Sequence, residues 1–394
     1  MTGDRSAVYG YAQTAYGDMI RHFWDAEHGH ILNTHGGRRV DHDPIPVWEF
    51  GTVIQAMATM HRLTSEEDIR RKIAAQWAYM QRVFTDRQLT ATGRDCNAAL
   101  DDAAWTAMAL MTIYRFIGDE KALRLCRAMI RRSYDYWRDG TVGNGLWYCY
   151  RSDVDNRYEQ KTLYCAGLLL SGLEYHELTR GSQGEDPLLY RETKALYDWV
   201  ERYLLRDGRE VYTTADRDAN DRLYYISLYD RKAQGVFQPE RYGDQTLSEH
   251  GSFSSLMGNT AMAVIHKKMY DLTGERRYLE RAVETANAIA NGPYNHNGVL
   301  VDDFDPWTNA TFIGRFAGEV LPLPDIDPRW VDLMAGTAES IMARARTADG
   351  HYQASWEGSG YFDRFNEPGG YDLRAEVMMP SVNAVHVVLA AALA

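Results

Sequence analysis

Two neighbouring carboxylates are the residues of this chain whose type and spacing best suit chemistry. Asp101 and Asp102 stand side by side, and Trp105 follows within one helical turn. Carboxyl groups about 5–5.5 Å apart serve retaining glycosidases, one as nucleophile and the other as acid and base. Two acids so close do not ionise together easily, so the pKa of one rises and that of the other falls. Helix capping is the competing interpretation, because aspartates suit the first turn of a helix.

The surrounding chain is predicted to be almost entirely helical. An apolar run, 107–114, follows the pair and indicates a helix inside a core. Apolar periodicity and end signals predict about twelve helices, and strand-like alternation is scarce. The predicted helices are 6–23, 47–63, 66–85, 98–116, 119–137, 160–178, 187–204, 254–273, 275–291, 308–322, 328–346 and 374–393.

A repeated corner and a repeated contrast in polarity predict the architecture. Gly118 and Gly274 stand where the end of a helix needs a positive φ, and related corners occur at 61–66 and 176–181. The first helix of each pair is apolar nearly all round and the second is amphipathic, so the first is buried and the second lies outside. We therefore expect an all-α fold, an (α/α)6 barrel of six inner and six outer helices, as one domain over 1–394.

Long connections precede the predicted inner helices, whereas turns within a pair are short. Long ordered loops are usually functional, and all six emerge where the inner helices begin. Asp101 and Asp102 therefore belong to the floor of the cleft that these loops surround. The connections are 24–46, 86–97, 138–159, 205–253, 292–307 and 347–373.

The same loops are rich in aromatic residues, which can stack on sugar rings or serve packing. As a set they predict a carbohydrate cleft. Glu49, Glu159 and the pair Asp302–Asp303 are further acids that could hold a sugar hydroxyl, although we expect the pair in a turn or at the rim. The aromatic residues include Trp147, Tyr148, Tyr150, Tyr224, Tyr225, Tyr242, Trp307, Trp356, Tyr361 and Phe362.

Other kinds of site and partner find little support. The twelve histidines show neither HExxH nor zinc spacing, and 216–221 lacks the glycine and final glutamate of an EF-hand. Phosphate-binding glycine loops and a Gly-x-Ser-x-Gly elbow are absent, so we expect no metal and no other cofactor. A net charge of −12 without a basic run disfavours nucleic acid and anionic membranes.

Localisation follows from similar absences in the sequence. No apolar run is long enough to span a bilayer, and the four cysteines form no CxxC, which favours free thiols. The first residues lack the features of a secretory signal. We expect a cytoplasmic protein from the sequence as given, and a secreted one if a signal was trimmed.

The aspartate pair and the corners resemble glycoside hydrolase family 76, the (α/α)6-barrel endo-α-1,6-mannanases. The similarity covers most of the chain in order, and its most specific segment runs from Asp101-Asp102 through Trp105 to the corner at Gly118-Asp119. Further matches are Trp48 of the first inner helix, the loop 144–148, and Arg315 of the fifth inner helix.

The sequence differs from that family at positions where the family holds its sugar. A Lys-Asn-Ala element is Gln160-Lys161-Thr162 here, and a Tyr-Asn-Gln-Gly element is 257–260, which includes Asn259. A glutamine of the first inner helix is Glu49, and a Lys-Gly is 310–311. The chemistry is thus kept while the subsites change, and the long connection 205–253 would favour short substrates by closing one end of the groove.

The resemblance implies a retaining glycoside hydrolase that cleaves an α-linked glycan or oligosaccharide of the α-1,6-mannan kind. It assigns Asp101 as the nucleophile and Asp102 as the acid and base. The predicted substrate-binding residues, from the resemblance and from the loops together, are Trp48, Glu49, Trp105, Trp147, Tyr148, Gln160, Lys161, Asn259, Trp307, Arg315 and Trp356.

Two other functions stay open at this point. Sugar isomerases of the N-acylglucosamine 2-epimerase kind share the architecture and need two histidines for proton transfer, for which His250 and His386 are candidates. A non-catalytic carbohydrate-binding protein would keep the aromatic cleft and would not require Asp101 and Asp102.

Overall fold

The structure, a computed structural model, describes residues 5–31, 34–35, 38–39, 49–90, 100–138, 145–147, 160–205, 222–225, 227–229, 256–292, 294–301, 310–357 and 378–394. Its helices, in chain order, are α1 (Arg5–Phe23), α2 (Glu49–Thr64), α3 (Glu67–Val83), α4 (Asp86–Leu89), α5 (Leu100–Ile117), α6 (Glu120–Trp137), α7 (Ala166–Thr179), α8 (Pro187–Tyr203), α9 (Leu256–Thr273), α10 (Arg276–Asn291), α11 (Ile313–Glu319), α12 (Arg329–Ser340) and α13 (Met378–Leu393).

Six of these helices form a closed inner ring, which confirms the predicted (α/α)6 barrel. In order around the ring, α2, α5, α7, α9, α11 and α13 each pack on the next, and α13 packs back on α2. The outer helices α1, α3, α6, α8, α10 and α12 cover the ring. Burial follows the predicted polarity, because α7 is buried at every position from Ala166 to Tyr175, whereas α6 buries one face.

Each of the five corners from an inner helix to its outer partner contains a residue with positive φ. Glycine fills three of them, with φ of 71° at Gly118, 76° at Gly181 and 70° at Gly274, as the repeat predicts. Ser65 (56°) and Asp325 (68°) fill the other two. These tight corners keep the long connections at the opposite end of the barrel, where the inner helices begin.

The structure corrects the predicted bounds of two inner helices. The segment predicted as the start of helix 160–178 is a strand, Gln160–Thr162, followed by a 3-10 turn, Leu163–Cys165. The strand pairs antiparallel with Ser227–Tyr229, a distant partner that helical periodicity cannot reveal. The fifth inner helix, predicted at 308–322, extends only from Ile313 to Glu319.

Short antiparallel strand pairs complete the described structure, and none of the described helices is both long and apolar enough to cross a membrane. A π-helical turn, Ile341–Ala345, extends α12 to nearly its predicted end. The strands are β1 (Trp24–Asp25) with β2 (His30–Ile31), β3 (Thr34–His35) with β4 (Arg38–Arg39), β5 (Gln160–Thr162) with β6 (Ser227–Tyr229), and β7 (Asn295–His296) with β8 (Val299–Leu300).

Two glycines allow α2 and α7 to approach α5 closely next to the aspartate pair. A Cβ on Gly51 of α2 would lie 2.6 Å from the carbonyl oxygen of Trp105. A Cβ on Gly167 of α7 would lie 2.9 Å from the carbonyl oxygen of Ala104 and 2.9 Å from Sδ of Met108. Backbone therefore packs on backbone around the first turns of α5, which fixes the base on which the pair stands.

We expect Gly167→Ala to lower the free energy of unfolding by about 1–3 kcal/mol, because the new methyl group enters a filled contact between helices. Gly17→Ala is the matched control, since no atom lies within 4 Å of a Cβ there. Within helix α1 this change should stabilise the protein by about 0.5–1 kcal/mol. Urea denaturation measures both, and a shift of the same sign and size in the two variants would contradict the close contact.

Candidate active site

Asp101 and Asp102 lie in the first turn of α5, and both residues are half-buried. The backbone N–H of Asp102 donates a hydrogen bond to Oδ1 of Asp101 at 3.1 Å. From Ala103 to Met111 the helix is buried. The two carboxyl groups thus mark the boundary between the apolar core and the end of the barrel where the long connections arrive, and the helix dipole favours negative charge there.

Trp105 lies in α5, one helical turn after Asp101. Its side chain is only 2% exposed, and its ring packs on Phe312 with centroids 5.7 Å apart and a tilt of 51°. Phe312 precedes α11, so this contact joins the second and fifth inner helices across the barrel. The indole is therefore part of the core one turn beyond the carboxylates, and it leaves no open ring face for a sugar.

Asn259, a predicted sugar contact, is buried in α9 and bonded to two protein groups. Its Oδ1 accepts the backbone N–H of Tyr224 at 2.9 Å, and its Nδ2 donates to the hydroxyl of Tyr294 at 2.8 Å. The amide therefore fixes the segment 222–225, which belongs to the long connection 205–253, against the inner ring. Its observed contacts are those of a positioning residue.

A buried polar network anchors the same segment, and sequence reasoning missed it. The hydroxyl of Tyr224 lies 2.7 Å from Nε2 of His266, accepts from Nη2 of Arg281 at 2.8 Å and donates to Glu201. Nδ1 of His266 lies 2.9 Å from the hydroxyl of Tyr197. Burial lowers the pKa of His266 to about 4, so the ring is neutral near pH 7. The residues of this network come from three helices and a loop, so no local sequence motif predicts it.

Other predicted residues lie at the same end of the barrel by backbone position. Glu49 is the first residue of α2, and Gln160 and Lys161 lie in β5, directly before the turn into α7. Trp147 and Trp356 are buried, and the carbonyl of Trp356 accepts from Oγ of Ser340 at 2.8 Å. Trp48, Tyr148, Glu159, Asp302, Asp303 and Trp307 lie outside the described residues, and their assignments stay predictions.

The structure does not bring Arg315 together with the aspartate pair. Its guanidinium contacts Glu174 at 2.8 Å and Glu319 at 2.9 Å, and Glu174 also meets Arg115, in the last turn of α5. Arg115 lies fourteen residues beyond Asp101, which is roughly 20 Å along a helix. The reason is that α11 begins late, so its first turn is already level with the C-terminal half of α2.

His386, one of the two candidate bases for an isomerase, is fully buried in α13. Its Nε2 donates to the carbonyl oxygen of Thr52 at 2.9 Å and so joins α13 to α2. Burial lowers its pKa to about 4. His250 lies outside the described residues. The contacts of His386 are those of a neutral structural histidine, so nothing here favours proton transfer to a sugar carbon.

No protein-family model matches the sequence, and no curated protein sequence matches it. Solved structures do match over nearly the whole chain. One is an inactive variant of the alpha-1,6-mannanase GH76A of Salegentibacter sp. HEL1_6 in complex with alpha-1,6-mannotetrose, with 13% identity, 99% of both chains covered and a TM-score of 0.70.

Two further matches extend the comparison. A glycoside hydrolase family 76 mannosidase of Bacteroides thetaiotaomicron has 15% identity, a TM-score of 0.66, and covers 97% of this chain and 98% of its own. Dfg5 from Chaetomium thermophilum, in complex with glucosamine, has 13% identity, a TM-score of 0.63, and covers 99% and 92%. The chain is therefore similar in fold, along nearly its whole length, to the (α/α)6 barrels of glycoside hydrolase family 76, at 13% and 15% sequence identity to the two enzymes compared.

Proposed function

We propose that this protein is a retaining glycoside hydrolase acting on an α-linked glycan of the α-1,6-mannan kind. The observation that carries the proposal is the position of Asp101 and Asp102, adjacent and half-buried where α5 begins, at the end of the barrel that receives the long connections. Helix capping accounts for acids in a first turn, but it does not require two of them at this end of an inner helix.

The comparisons support the same assignment. The mannanase of Salegentibacter was made inactive by replacing two consecutive aspartates with alanine, and that variant holds alpha-1,6-mannotetrose. We infer that Asp101 and Asp102 are the counterparts of those aspartates, because they form the adjacent pair at the start of an inner helix in a chain of the same fold.

The proposed chemistry is a double displacement. The carboxylate of Asp101 attacks the anomeric carbon while Asp102 gives its proton to the departing glycosidic oxygen, and a covalent glycosyl ester forms on Asp101. Asp102 then removes a proton from water, which attacks the same carbon and releases Asp101. Consecutive Cα atoms lie about 3.8 Å apart, so the two carboxyl groups can reach the roughly 5–5.5 Å separation of retaining enzymes.

The experiment that tests the proposal is hydrolysis of α-1,6-mannotetraose followed by proton NMR within the first minutes. We expect shorter mannooligosaccharides whose new reducing end appears first as the α-anomer, because two displacements restore the configuration. A first product with the β-anomer would overturn the retaining mechanism. Absence of hydrolysis across a panel of α-mannosides and α-glucosides, with glycan binding intact, would overturn the enzyme assignment.

A further inference from the structure

A cavity of about 380 Å³ lies at the end of the barrel opposite to Asp101 and Asp102. The C-terminal halves of α2, α5, α7, α9 and α11 surround it. Five cationic side chains line it, namely Arg62, Arg115, Lys267, Lys268 and Arg315. Nothing in the proposed glycosidase chemistry uses this end of the barrel.

The lining of this cavity, called here the distal cavity, is unusually positive for such an acidic protein. Against its five cations stand three carboxylates, those of Glu174, Asp271 and Glu319. The carboxylate of Glu177 pairs with Arg115 and Lys268 beside the cavity, so the group carries one positive charge in excess, while the whole chain has a net charge of −12. Charge of one sign concentrated in a concave, partly desolvated site attracts small ions of the opposite sign.

The inner wall of the distal cavity is neutralised within the protein. Arg315 is nearly buried and holds Glu174 and Glu319 together. Burial raises the pKa of Glu319, but Arg315 outweighs burial and brings that pKa to about 2, so the carboxylate stays charged. Lys268 contacts both oxygens of Glu177 at 3.1 Å. Because these cations are already paired with carboxylates, they have few hydrogen-bond donors left for a ligand at the wall.

The rim of the distal cavity has spare donors. Arg62 contacts Glu319 at 3.0 Å and Arg115 contacts Glu177 at 2.8 Å, in each case through Nη2 alone. The two side chains are 39% and 37% exposed. Within the described part of the chain, the remaining N–H groups of both guanidinium groups meet no acceptor, so two arginines on neighbouring inner helices can each still bind an anion.

Arg62 and Arg115 lie in the last turns of α2 and α5, where a cation suits the helix dipole, but among the described residues neither is bonded to the carbonyl groups of a helix end. Cations often serve the exposed carbonyl groups at the C-terminus of a helix. At the end of α5 that role belongs to Arg70 of α3, whose Nη2 and Nε donate to the carbonyl oxygen of Phe116 at 2.7 and 3.2 Å. Arg62 and Arg115 contact carboxylates instead, and the free edges of their guanidinium groups stay available at the cavity.

We propose that the distal cavity binds a small dianion of the phosphate type between Arg62 and Arg115. The planar guanidinium group matches two oxygens of a tetrahedral oxyanion, and such charge-assisted hydrogen bonds are stronger than neutral ones. The volume of about 380 Å³ accommodates phosphate or a small phosphate ester. The proposal does not depend on glycosidase activity.

The test is isothermal titration calorimetry with inorganic phosphate and with glycerol phosphate, at constant ionic strength. We expect saturable one-to-one binding that Arg62→Gln and Arg115→Gln each weaken by about tenfold or more. Arg276→Gln is the matched control, because Arg276 is 85% exposed on α10, pairs with Glu280 and loses the same charge. Far-UV circular dichroism melts without phosphate establish that each variant is folded.

Either of two results overturns the proposal. One is the absence of saturable binding for both anions with the unchanged protein. The other is an affinity that falls as much in Arg276→Gln as in the two rim variants, which would indicate general charge attraction. If binding is lost only in the rim variants, the tighter of the two anions shows whether the site accepts free phosphate or an ester.

Discussion

Asp101→Asn is expected to reduce kcat by roughly 10³–10⁵-fold while the free energy of unfolding stays within about 1 kcal/mol of that of the unchanged protein. The amide keeps the shape of the side chain but cannot form the glycosyl ester. The half-buried position tolerates the loss of charge, since neither carboxylate lies in the closed core. Turnover of a mannooligosaccharide and urea denaturation measure the two quantities.

Asp102→Asn should be as damaging on natural glycans but not on every substrate. A glycoside whose leaving group needs no proton, such as a dinitrophenyl mannoside, does not require the acid for bond cleavage, so its first step should survive in Asp102→Asn and fail in Asp101→Asn. Added azide should then accelerate release of the glycosyl ester in Asp102→Asn, because azide attacks without a general base.

The matched control for both variants is Asp198→Asn. Asp198 is 56% exposed on the outer helix α8 and pairs with Lys194 one turn away, so the change removes an equal charge from the outer layer of the barrel. Its activity should equal that of the unchanged protein. Near-normal turnover of a natural glycan in either Asp101→Asn or Asp102→Asn would show that the pair only serves the helix.

The barrel could be predicted because the burial of a helix determines the pattern of apolar residues along it. A helix surrounded by other helices needs apolar residues on every side, as in α7, and a helix on the outside needs them on one face, as in α6. Glycine at a corner with positive φ, as at Gly118 and Gly274, adds a second local signal. The end of the barrel at which Asp101 and Asp102 lie could then be predicted from the direction of α5.

The failures arose where structure depends on partners distant in the sequence. Strand β5 exists because residues 227–229 pair with it, and the apolar pattern after Gln160 contains no trace of that partner. The Tyr224–His266 contact depends on how α9 faces a loop. Likewise, Arg315 was predicted to bind substrate from the family resemblance, and a match on an inner helix does not reveal how deep the residue lies along the barrel axis.

Arg315→Ala should therefore lower stability, and it should leave the KM of the folded enzyme unchanged. The change leaves Glu174 buried without its closest cation and deprives Glu319 of its bidentate partner. Breaking a buried pair on one side costs about 3–5 kcal/mol, because an uncompensated charge remains. Urea denaturation in phosphate-free buffer measures the cost. A raised KM with unchanged stability would instead show that Arg315 binds substrate.

Two further variants separate this cost from a general loss of charge. Arg62→Ala removes the other arginine that contacts Glu319, but its side chain is 39% exposed, so the expected loss is below about 1 kcal/mol. In the double variant Arg315→Ala with Glu174→Gln, the buried carboxylate that lost its cation is also removed, so stability should recover part of the loss seen in Arg315→Ala alone. If the changes in the free energy of unfolding for Arg315 and Glu174 simply add, the two side chains do not act as a pair. The stability of the distal end of the barrel would then come from packing alone.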